Sequence, residues 1–261
     1  MIFYLSCTGN TLWAVRQIAE ATGEEMVDIA GSEASRRSYT LKEGERIGFC
    51  FPVHCWRPPV LFRRFIGGLH IGQAEGHFTF ALCTAGDDIG RTIDILSHDL
   101  QPLGIKLDRA WSLVMPETYV GLPFMDVDTK DNERRKIAES QQRLDTIIPE
   151  IKERRLHGTN HLDIGGMPRL KSGIIAEWFN RWWVDDKRFR VDSHRCTGCG
   201  RCAKVCPVAD IRCEGAEGMP RWRHNGKCLT CLSCYHHCPA HAISFARQTN
   251  NKGQYYFNKK Q

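Results

Sequence analysis

The chain has 261 residues, 42% of them hydrophobic and 25% charged, with a formal charge of +6 at neutral pH. This length allows one large domain with a buried core and one smaller domain. No apolar run reaches the roughly 18 residues of a membrane-spanning helix. The arginine doublets are scattered and lack interleaved aromatic side chains, which disfavours a nucleic-acid surface.

Thirteen cysteines accompany an amino terminus that lacks the features of a secretory signal. The first residues pass directly from a short apolar stretch into a polar loop, without a basic region or a small-residue cleavage site. Many cysteines in such a chain are typical of a reducing compartment and not of a disulfide framework. We therefore expect a cytoplasmic protein.

Strand-like and helix-like stretches alternate through the first part of the chain. Apolar runs bounded by polar residues predict five strands, over residues 2–5, 25–30, 46–51, 78–83 and 110–115. Helical periodicity predicts helices over residues 12–19, 59–69, 89–103 and 129–155, the last with a proline that could kink it. Residues 31–45 are polar and are predicted as a loop or a short irregular insertion. This alternation favours an α/β fold with a doubly wound, five-stranded parallel sheet.

Ligands of such sheets bind beyond the carboxyl ends of the strands, and the first of these loops is rich in hydrogen-bonding groups. A glycine, three hydroxyl residues and an amide follow the first strand: Ser6, Thr8, Gly9, Asn10 and Thr11. The loop precedes a helix, whose free N–H groups and dipole favour a phosphate dianion. It contains no lysine, unlike a nucleotide-binding P-loop, and so suits a monophosphate such as FMN.

Two further loops leave the same edge of the predicted sheet. Two side chains of the second loop, residues 52–59, could stack on a flat heterocycle, those of His54 and Trp56. The predicted ligand contacts of this loop are Pro52, Val53, His54 and Trp56. The third loop, residues 84–90, brings glycine-bearing backbone to the same place, beginning with Thr84, Ala85 and Gly86. Its N–H groups could bond the pyrimidine edge of a flavin.

Residues 1–155 resemble the flavodoxin family, most sharply in the Ser-x-Thr-Gly-Asn-Thr loop between the first strand and the first helix. The resemblance implies that the first loop binds the phosphate of FMN and that the second and third loops flank its isoalloxazine ring. Two departures stand out. The third loop has no aromatic residue to stack there, and the chain lacks the acidity typical of flavodoxins.

A segment dense in aromatic residues lies between the two halves of the chain. Residues 158–187 are predicted to form a linker, and residues 174–184 within it predict a helix with four large aromatic side chains, Trp178, Phe179, Trp182 and Trp183. Burial of this stripe as the joint between two domains is the favoured interpretation. Amphipathic docking on a membrane surface is the alternative.

Two cysteine runs near the carboxyl terminus have the same spacing, Cys-x2-Cys-x2-Cys-x3-Cys-Pro, and lie 32 residues apart. Thiolates at this spacing hold iron–sulfur clusters, with the fourth cysteine of each run serving the other cluster. We assign Cys196, Cys199, Cys202 and Cys238 to one [4Fe–4S] cluster, and Cys228, Cys231, Cys234 and Cys206 to a second. Structural zinc is disfavoured because zinc ribbons separate their cysteine pairs by a dozen or more residues.

The cysteine runs resemble the bacterial two-cluster ferredoxins over residues 188–246, and a polar tail, residues 247–261, follows. A flavodoxin-like domain over residues 1–157, joined in this order to such a ferredoxin, resembles the EFR1 family of fusion proteins. The resemblance implies electron transport through FMN and two [4Fe–4S] clusters, with redox partner proteins. An anaerobic host is a further expectation, because such clusters are sensitive to oxygen.

Two functions remain open at this point. The chain could be an electron carrier that serves a partner oxidoreductase, or an FMN-dependent reductase of a small electron acceptor such as a quinone or a conjugated carbonyl. No nicotinamide-binding Gly-x-Gly-x-x-Gly follows a strand, which disfavours direct oxidation of NAD(P)H. The candidate catalytic residues for a reductase are His54, Cys55 and Tyr119. The alternative for Cys55 is a packing role, which is also predicted for the remaining cysteines, Cys7, Cys50, Cys83 and Cys213.

Overall fold

The computed structural model describes residues 1–30, 34, 37–72, 74–214 and 218–258. Its first half contains seven strands: β1 Ile2–Tyr4, β2 Met26–Asp28, β3 Ser38–Thr40, β4 Ile47–Pro52, β5 His70–Gly72, β6 Thr79–Ala85 and β7 Arg109–Val114. Five of them form a parallel sheet in the order β2-β1-β4-β6-β7. This is the flavodoxin order of a doubly wound sheet, so the predicted fold class is confirmed.

Helices cover both faces of this sheet. Helices α1 (Asn10–Thr22) and α4 (Lys130–Lys152) bury apolar side chains against one face, and α2 (Val60–Gly67) and α3 (Thr92–Leu100) against the other. All seven residues of β6 are buried, as expected for a parallel strand with helices on both sides. Helix α4 continues past Pro149 to Lys152, so this proline does not end it.

A small second sheet was not expected from the sequence. Strand β3 lies within residues 31–45, which the sequence predicted as a loop. It pairs in parallel with β5, which follows α2. Tyr39 of β3 is buried, and its ring meets that of Phe3 edge-on at 4.9 Å between centroids. Three-residue strands are too short to show a periodic pattern in the sequence. Burial of Tyr39 in β3 depends instead on its contact with Phe3, which lies far away in the chain. Residues 31–33, 35 and 36 of the predicted loop lie outside the described residues.

Three helical segments follow one another between the two halves: Pro168–Leu170, Lys171–Ile175 with π-helical bonding, and Ala176–Trp182. We call residues 168–182 the linker helix. Its aromatic stripe is only partly buried. Trp183, just past its end, packs against Phe245, whereas Trp178 and Trp182 are 57% and 61% exposed. The prediction of a wholly buried stripe is therefore wrong for these two tryptophans, because they face away from both domains.

The carboxyl-terminal part is a small α+β domain. Strand β8 (Phe189–Val191) pairs antiparallel with β11 (Ile243–Phe245), and β9 (Ile211–Glu214) with β10 (Met219–Trp222). Two short helices, α5 (Arg201–Lys204) and α6 (Ser233–His236), each follow the first two cysteines of a run and contain its third, Cys202 and Cys234. Within the described chain, no helix combines the length and apolarity that crossing a membrane requires.

The segment predicted as a polar tail packs against the rest of the molecule as far as residue 258. Tyr255 is 4% exposed, and its backbone N–H donates to His236 Nδ1 at 3.2 Å. The Tyr235 hydroxyl lies 2.7 Å from the carbonyl oxygen of Lys252. These contacts join residues 252–257, which we call the tail strap, to the cysteine-bearing domain.

Candidate functional site

The first loop presents unpaired backbone donors at a helix N-terminus. Gly9 has a φ of +94° and caps α1. The N–H of Leu12 donates to Ser6 Oγ at 3.1 Å, and that of Trp13 to the Gly9 carbonyl at 2.9 Å. The four N–H groups of residues 8–11 have no acceptor among the described residues. This donor set fits a phosphate dianion.

The side chains of the first loop bind the protein itself. Thr11 Oγ1 lies 2.8 Å from Thr84 Oγ1 at the start of the third loop. Asn10 Nδ2 donates to the Pro116 carbonyl at 3.2 Å, and Asn10 Oδ1 accepts from the Tyr255 hydroxyl at 2.8 Å. The predicted roles of Asn10 and Thr11 as phosphate ligands remain predictions. Their side chains instead brace the loop, which leaves the backbone as its main set of free donors.

The tail strap lies directly on the first loop. The N–H of Phe257 donates to the Thr8 carbonyl at 2.8 Å, and its ring lies 5.4 Å from that of Trp13. A Cβ on Gly9 would come within 2.9 Å of the Phe257 Cβ. A side chain at position 9 would therefore be strained by its φ and would also collide with the strap. No local sequence pattern predicts this contact, because the two segments lie at opposite ends of the chain.

The second loop is a tight turn held by the linker helix. His54 and Arg57 exchange backbone hydrogen bonds of 3.0 and 3.1 Å, and the residues between them, Cys55 and Trp56, have φ of 48° and 56°. Non-glycine residues in this conformation are strained and persist only where their surroundings impose it. Here Ser172 Oγ of the linker helix donates to the Trp56 carbonyl at 2.8 Å.

Trp56 packs between the third loop and the linker helix. A Cβ on Gly90, whose φ is +53°, would lie 2.9 Å from the Trp56 Cβ. The Lys171 ammonium lies 5.4 Å from the centre of the indole ring and also pairs with Asp88 of the third loop. The structure thus places Trp56 beside the third loop, as predicted for residues flanking one site. Stacking on a flavin stays a prediction.

Glu117, which the sequence did not single out as a site residue, lies against the third loop. A Cβ on Gly86 would overlap its carboxylate. Glu117 Oε1 accepts the N–H groups of Thr118 and Tyr119 at 2.8 and 2.7 Å, while burial raises the pKa of the carboxyl group. Lys136 Nζ donates to the Gly86 carbonyl at 2.8 Å. An acidic residue directly after the buried end of β7 was the only sequence signal for this position.

The three candidate catalytic residues are uncharged at neutral pH. Burial lowers the pKa of His54 to about 4, since desolvation disfavours the imidazolium ion. Burial raises the pKa of Cys55 to about 11 and that of Tyr119 well above its usual range. Cys55 is therefore a thiol and a weak nucleophile. The Tyr119 hydroxyl is buried without a hydrogen-bond partner among the described residues.

The first predicted cysteine set lines a single cavity. Four residues, three from the first run and one from the second, line the same surface cavity: Cys196, Cys199, Cys202 and Cys238. Cys199 is exposed, and a backbone hydrogen bond from Arg201 is the main cause of its lowered pKa. The arrangement brings the crossed set together at the surface of the domain. We refer to these four cysteines as the outer group.

The second predicted set, which we call the inner group, is more deeply buried: Cys206, Cys228, Cys231 and Cys234. Burial raises the pKa of Cys234, and the neighbouring Cys231, Cys228 and Cys206 raise it further. Four sulfur atoms in such surroundings would be deprotonated together only around a cationic core, which a [4Fe–4S] cluster would supply. No three His, Cys, Asp or Glu side chains in the described residues are placed to chelate one metal ion.

The backbone repeats the duplication seen in the cysteine spacing. Cys206 Sγ accepts the N–H of Asp210 at 3.3 Å, and Cys238 Sγ accepts that of Ala242 at 3.2 Å, four residues on in each case. Ala209 and His241, which are 32 residues apart, both have a φ of 48°. Hydrogen bonds of this kind to sulfur are among the features that tune iron–sulfur clusters. The ligand assignments themselves remain predictions.

The inner group lies against the first loop of the other domain. Ser233 Oγ, on α6, donates to the Cys7 carbonyl at 2.7 Å. The Cys7 and Cys231 thiols interact, and this hydrogen bond is the main cause of the raised pKa of Cys231. Cys7 was predicted to be a packing residue. The structure instead places it between the first loop and the inner group.

His236 fastens the same junction. The residue is fully buried, and its Nε2 lies 2.6 Å from the Thr118 carbonyl, beyond the end of β7. Because Nδ1 accepts the N–H of Tyr255, the proton is assigned to Nε2, and the ring is the neutral tautomer. One imidazole thus ties the cysteine-bearing domain to the carboxyl edge of the sheet and to the tail strap.

Comparison with known proteins identifies the cysteine-bearing part of the chain. A family model described as a 4Fe-4S dicluster domain matches residues 188–239, which supports two [4Fe–4S] clusters and electron transfer. Among solved structures, the chain is similar to rubredoxin oxygen:oxidoreductase from the anaerobe Desulfovibrio gigas, at 14% identity and a TM-score of 0.34. This alignment covers 59% of the chain and 36% of that protein, so the chain spans about a third of its length. No curated protein matches the chain.

Proposed function

We propose that this protein is an electron carrier of the EFR1 type, holding FMN at the carboxyl edge of its sheet and two [4Fe–4S] clusters in its second domain. The observation that carries the proposal is the contact between the inner group and the first loop, through Ser233, Cys7 and Cys231. This contact brings the two kinds of redox site together within one chain. Electrons then need no diffusional encounter to pass between them.

The residues that would hold each group follow from the site. The N–H groups of residues 8–11 bind the phosphate of FMN, and the second and third loops flank its ring. The outer and inner groups each hold one cluster. Bound FMN supplies one- and two-electron chemistry, and each cluster supplies one-electron chemistry. In this proposal the first domain covers residues 1–157 and the second residues 188–246.

The protein's own contribution is a fixed geometry. His236, Ser233 and Tyr255 all bond across the junction, and all three are buried. A buried neutral hydrogen bond is expensive to break, because it leaves an unpaired polar group behind. The junction therefore resists opening, and the two domains keep one relative placement during electron transfer.

The outer group supplies the contact with a partner. Cys199 of the outer group is exposed, whereas none of the four inner cysteines is. A redox partner protein would exchange electrons at the outer group, and the inner group would connect it to the first loop. The exposure of the cysteines gives this order of sites, from the partner through the outer and inner groups to the first loop. It does not determine the direction of electron flow.

Cofactor content tests the proposal directly. Protein purified without oxygen should hold about eight iron atoms and about eight sulfides, as two [4Fe–4S] clusters require. It should also hold one FMN. Replacing Thr8 with phenylalanine should remove FMN and leave the iron in place. Zinc in place of iron, or four iron atoms or fewer after reconstitution, would disprove the cluster assignment, and full iron without flavin would disprove the FMN assignment.

The alternative, an FMN-dependent reductase of quinones or conjugated carbonyls, is favoured by one observation, the buried Tyr119 hydroxyl without a partner. That group could donate a hydrogen bond to a substrate. The uncharged states of His54 and Cys55 weigh against acid–base chemistry beside it. Saturable turnover of one such acceptor by the isolated protein, lost in Tyr119→Phe with FMN retained, would support the reductase over the carrier.

A further inference from the structure

The linker helix is apolar on two opposite faces. Its inner face packs inward through residues such as Ala176, which is fully buried, and Phe179, whose ring lies 5.6 Å from that of Tyr119. Its outer face carries Ile174, Trp178 and Trp182, which are 74%, 57% and 61% exposed. A helix that is apolar all round is normally covered on both sides. Among the described residues, other parts of the chain cover only the inner face of this helix.

The exposed apolar side chains form one continuous row. Met167 and Leu170 extend it towards the amino end, so that its members recur every three or four residues: Met167, Leu170, Ile174, Trp178 and Trp182. The four members from Leu170 to Trp182 recur every four residues, which favours one side of the helix over roughly 18 Å at ~1.5 Å per residue, and Met167 immediately precedes the helix. Contiguous exposed apolar surface of this kind marks an interaction site. We call these five residues the outer row.

Positive charge frames the outer row. Arg169 and Arg181 form no ion pair with an acidic side chain in the described part of the chain, and the Arg181 guanidinium lies 5.7 Å from the centre of the Trp182 ring. Glu177, the one acidic residue between positions 164 and 184, pairs with Arg57 at 2.9 Å. Residues 158–261 contain 17 lysines and arginines against 8 aspartates and glutamates, whereas residues 1–157 contain 19 against 22.

We propose that the outer row docks on an anionic lipid surface, with the linker helix lying flat at the interface and not crossing it. Tryptophan and aliphatic side chains on one face, with arginines at its border, are the composition of interfacial helices. The arginine stems reach along the apolar surface while their charged ends meet the headgroups. A second copy of the chain fits less well, since its Arg169 and Arg181 would face the same cations.

Docking by this face would leave the linker helix between the lipid surface and the second and third loops, which it contacts through Ser172 on Trp56 and Lys171 on Asp88. The lipid contact itself is independent of FMN, and it is tested without measuring activity.

The test is co-sedimentation of the full-length holoprotein with vesicles of phosphatidylglycerol and phosphatidylcholine, against vesicles of phosphatidylcholine alone. We expect binding to the anionic vesicles that weakens as salt is added, with a blue shift of tryptophan emission. Trp178→Ala/Trp182→Ala should weaken this binding about tenfold or more, because it removes the largest inserted side chains. Phe124→Ala, which alters an 84% exposed aromatic residue outside the row, should leave it unchanged.

A charge variant keeps the test decisive if the tryptophan variant folds poorly. Arg169→Glu/Arg181→Glu should abolish the preference for anionic vesicles, and Arg134→Glu, on the exposed surface of α4, should not. Failure of the wild-type protein to bind either vesicle would overturn the proposal. Equal binding by the tryptophan variant would also overturn it. A dimer in solution that depends on the outer row would overturn it too, as would saturable binding of this row to an acidic protein without binding to vesicles.

Discussion

The outer and inner cysteine groups have the same spacing and different surroundings. The outer group borders an open cavity and includes the exposed Cys199, whereas the inner group is buried against the first loop through Cys231 and Ser233. A sequence duplication therefore produced two cysteine groups of equivalent spacing, and docking against the sheet gave them different surroundings. One group faces outward, and the other faces the first loop.

The largest expected effect comes from the two crossed cysteines. Cys206→Ala should cost the inner cluster and Cys238→Ala the outer one, each with about half of the iron, as the crossed ligation of such runs requires. Only the loss of the inner cluster should abolish fast internal electron transfer to FMN. Iron analysis, electron paramagnetic resonance and stopped-flow reduction measure these outcomes. Damage by each substitution to the cluster of its own run would contradict the crossed assignment.

The reactivity of Cys55 measures how closed the second loop is. With a pKa of about 11, Cys55 is mostly thiol at pH 8, and its alkylation should run about a hundredfold slower than that of an ordinary exposed cysteine. The rate should rise as pH approaches 11, since the thiolate is the nucleophile. The exposed Cys213 serves as the internal reference in peptide mapping by mass spectrometry. Equal labelling of both residues at pH 8 would show that the second loop is open.

Alanine substitutions at the two glycines that flank α1 separate the cost of backbone strain from the cost of a steric clash. Gly9 and Gly23 both have positive φ, but only Gly9 has a neighbour, Phe257, in the way of a Cβ. Gly23→Ala should cost about 1 kcal/mol of unfolding free energy from backbone strain. Gly9→Ala should cost about 2 kcal/mol more, because the tail strap must move. Denaturant unfolding compares the two variants, and equal losses would mean that the strap yields freely.

The smallest expected effect concerns the hydrogen bond between the tail strap and the first loop. Tyr255→Phe removes the donor to Asn10 Oδ1 and leaves a buried acceptor unpaired, at a cost of about 1–2 kcal/mol. Tyr256→Phe is the matched control, since the Tyr256 ring stacks on His237 at 4.3 Å and the substitution keeps that ring. FMN affinity should fall in the first variant alone. Equal FMN affinity in both variants would show that the tail strap does not contribute to flavin binding.

Several features of this protein could be predicted from the sequence because they depend on local pattern. The five strands of the main sheet appeared as apolar runs, and their parallel order follows from alternation with helices. The two cysteine sets followed from spacing alone, and the outer group does line one cavity. Hydrophobic periodicity and ligand spacing act over a few residues, so they remain visible without the fold.

Other features were decided by the tertiary structure, because they join residues far apart in the chain. The contacts of Phe257 with Thr8, of Ser233 with Cys7 and of His236 with Thr118 leave no mark in the local sequence. The linker helix shows the same limit. Its aromatic spacing predicted an apolar helix, but only packing determined that Trp183 turns inward while Trp178 and Trp182 remain exposed. Periodicity identifies an apolar face, and the rest of the fold decides what covers it.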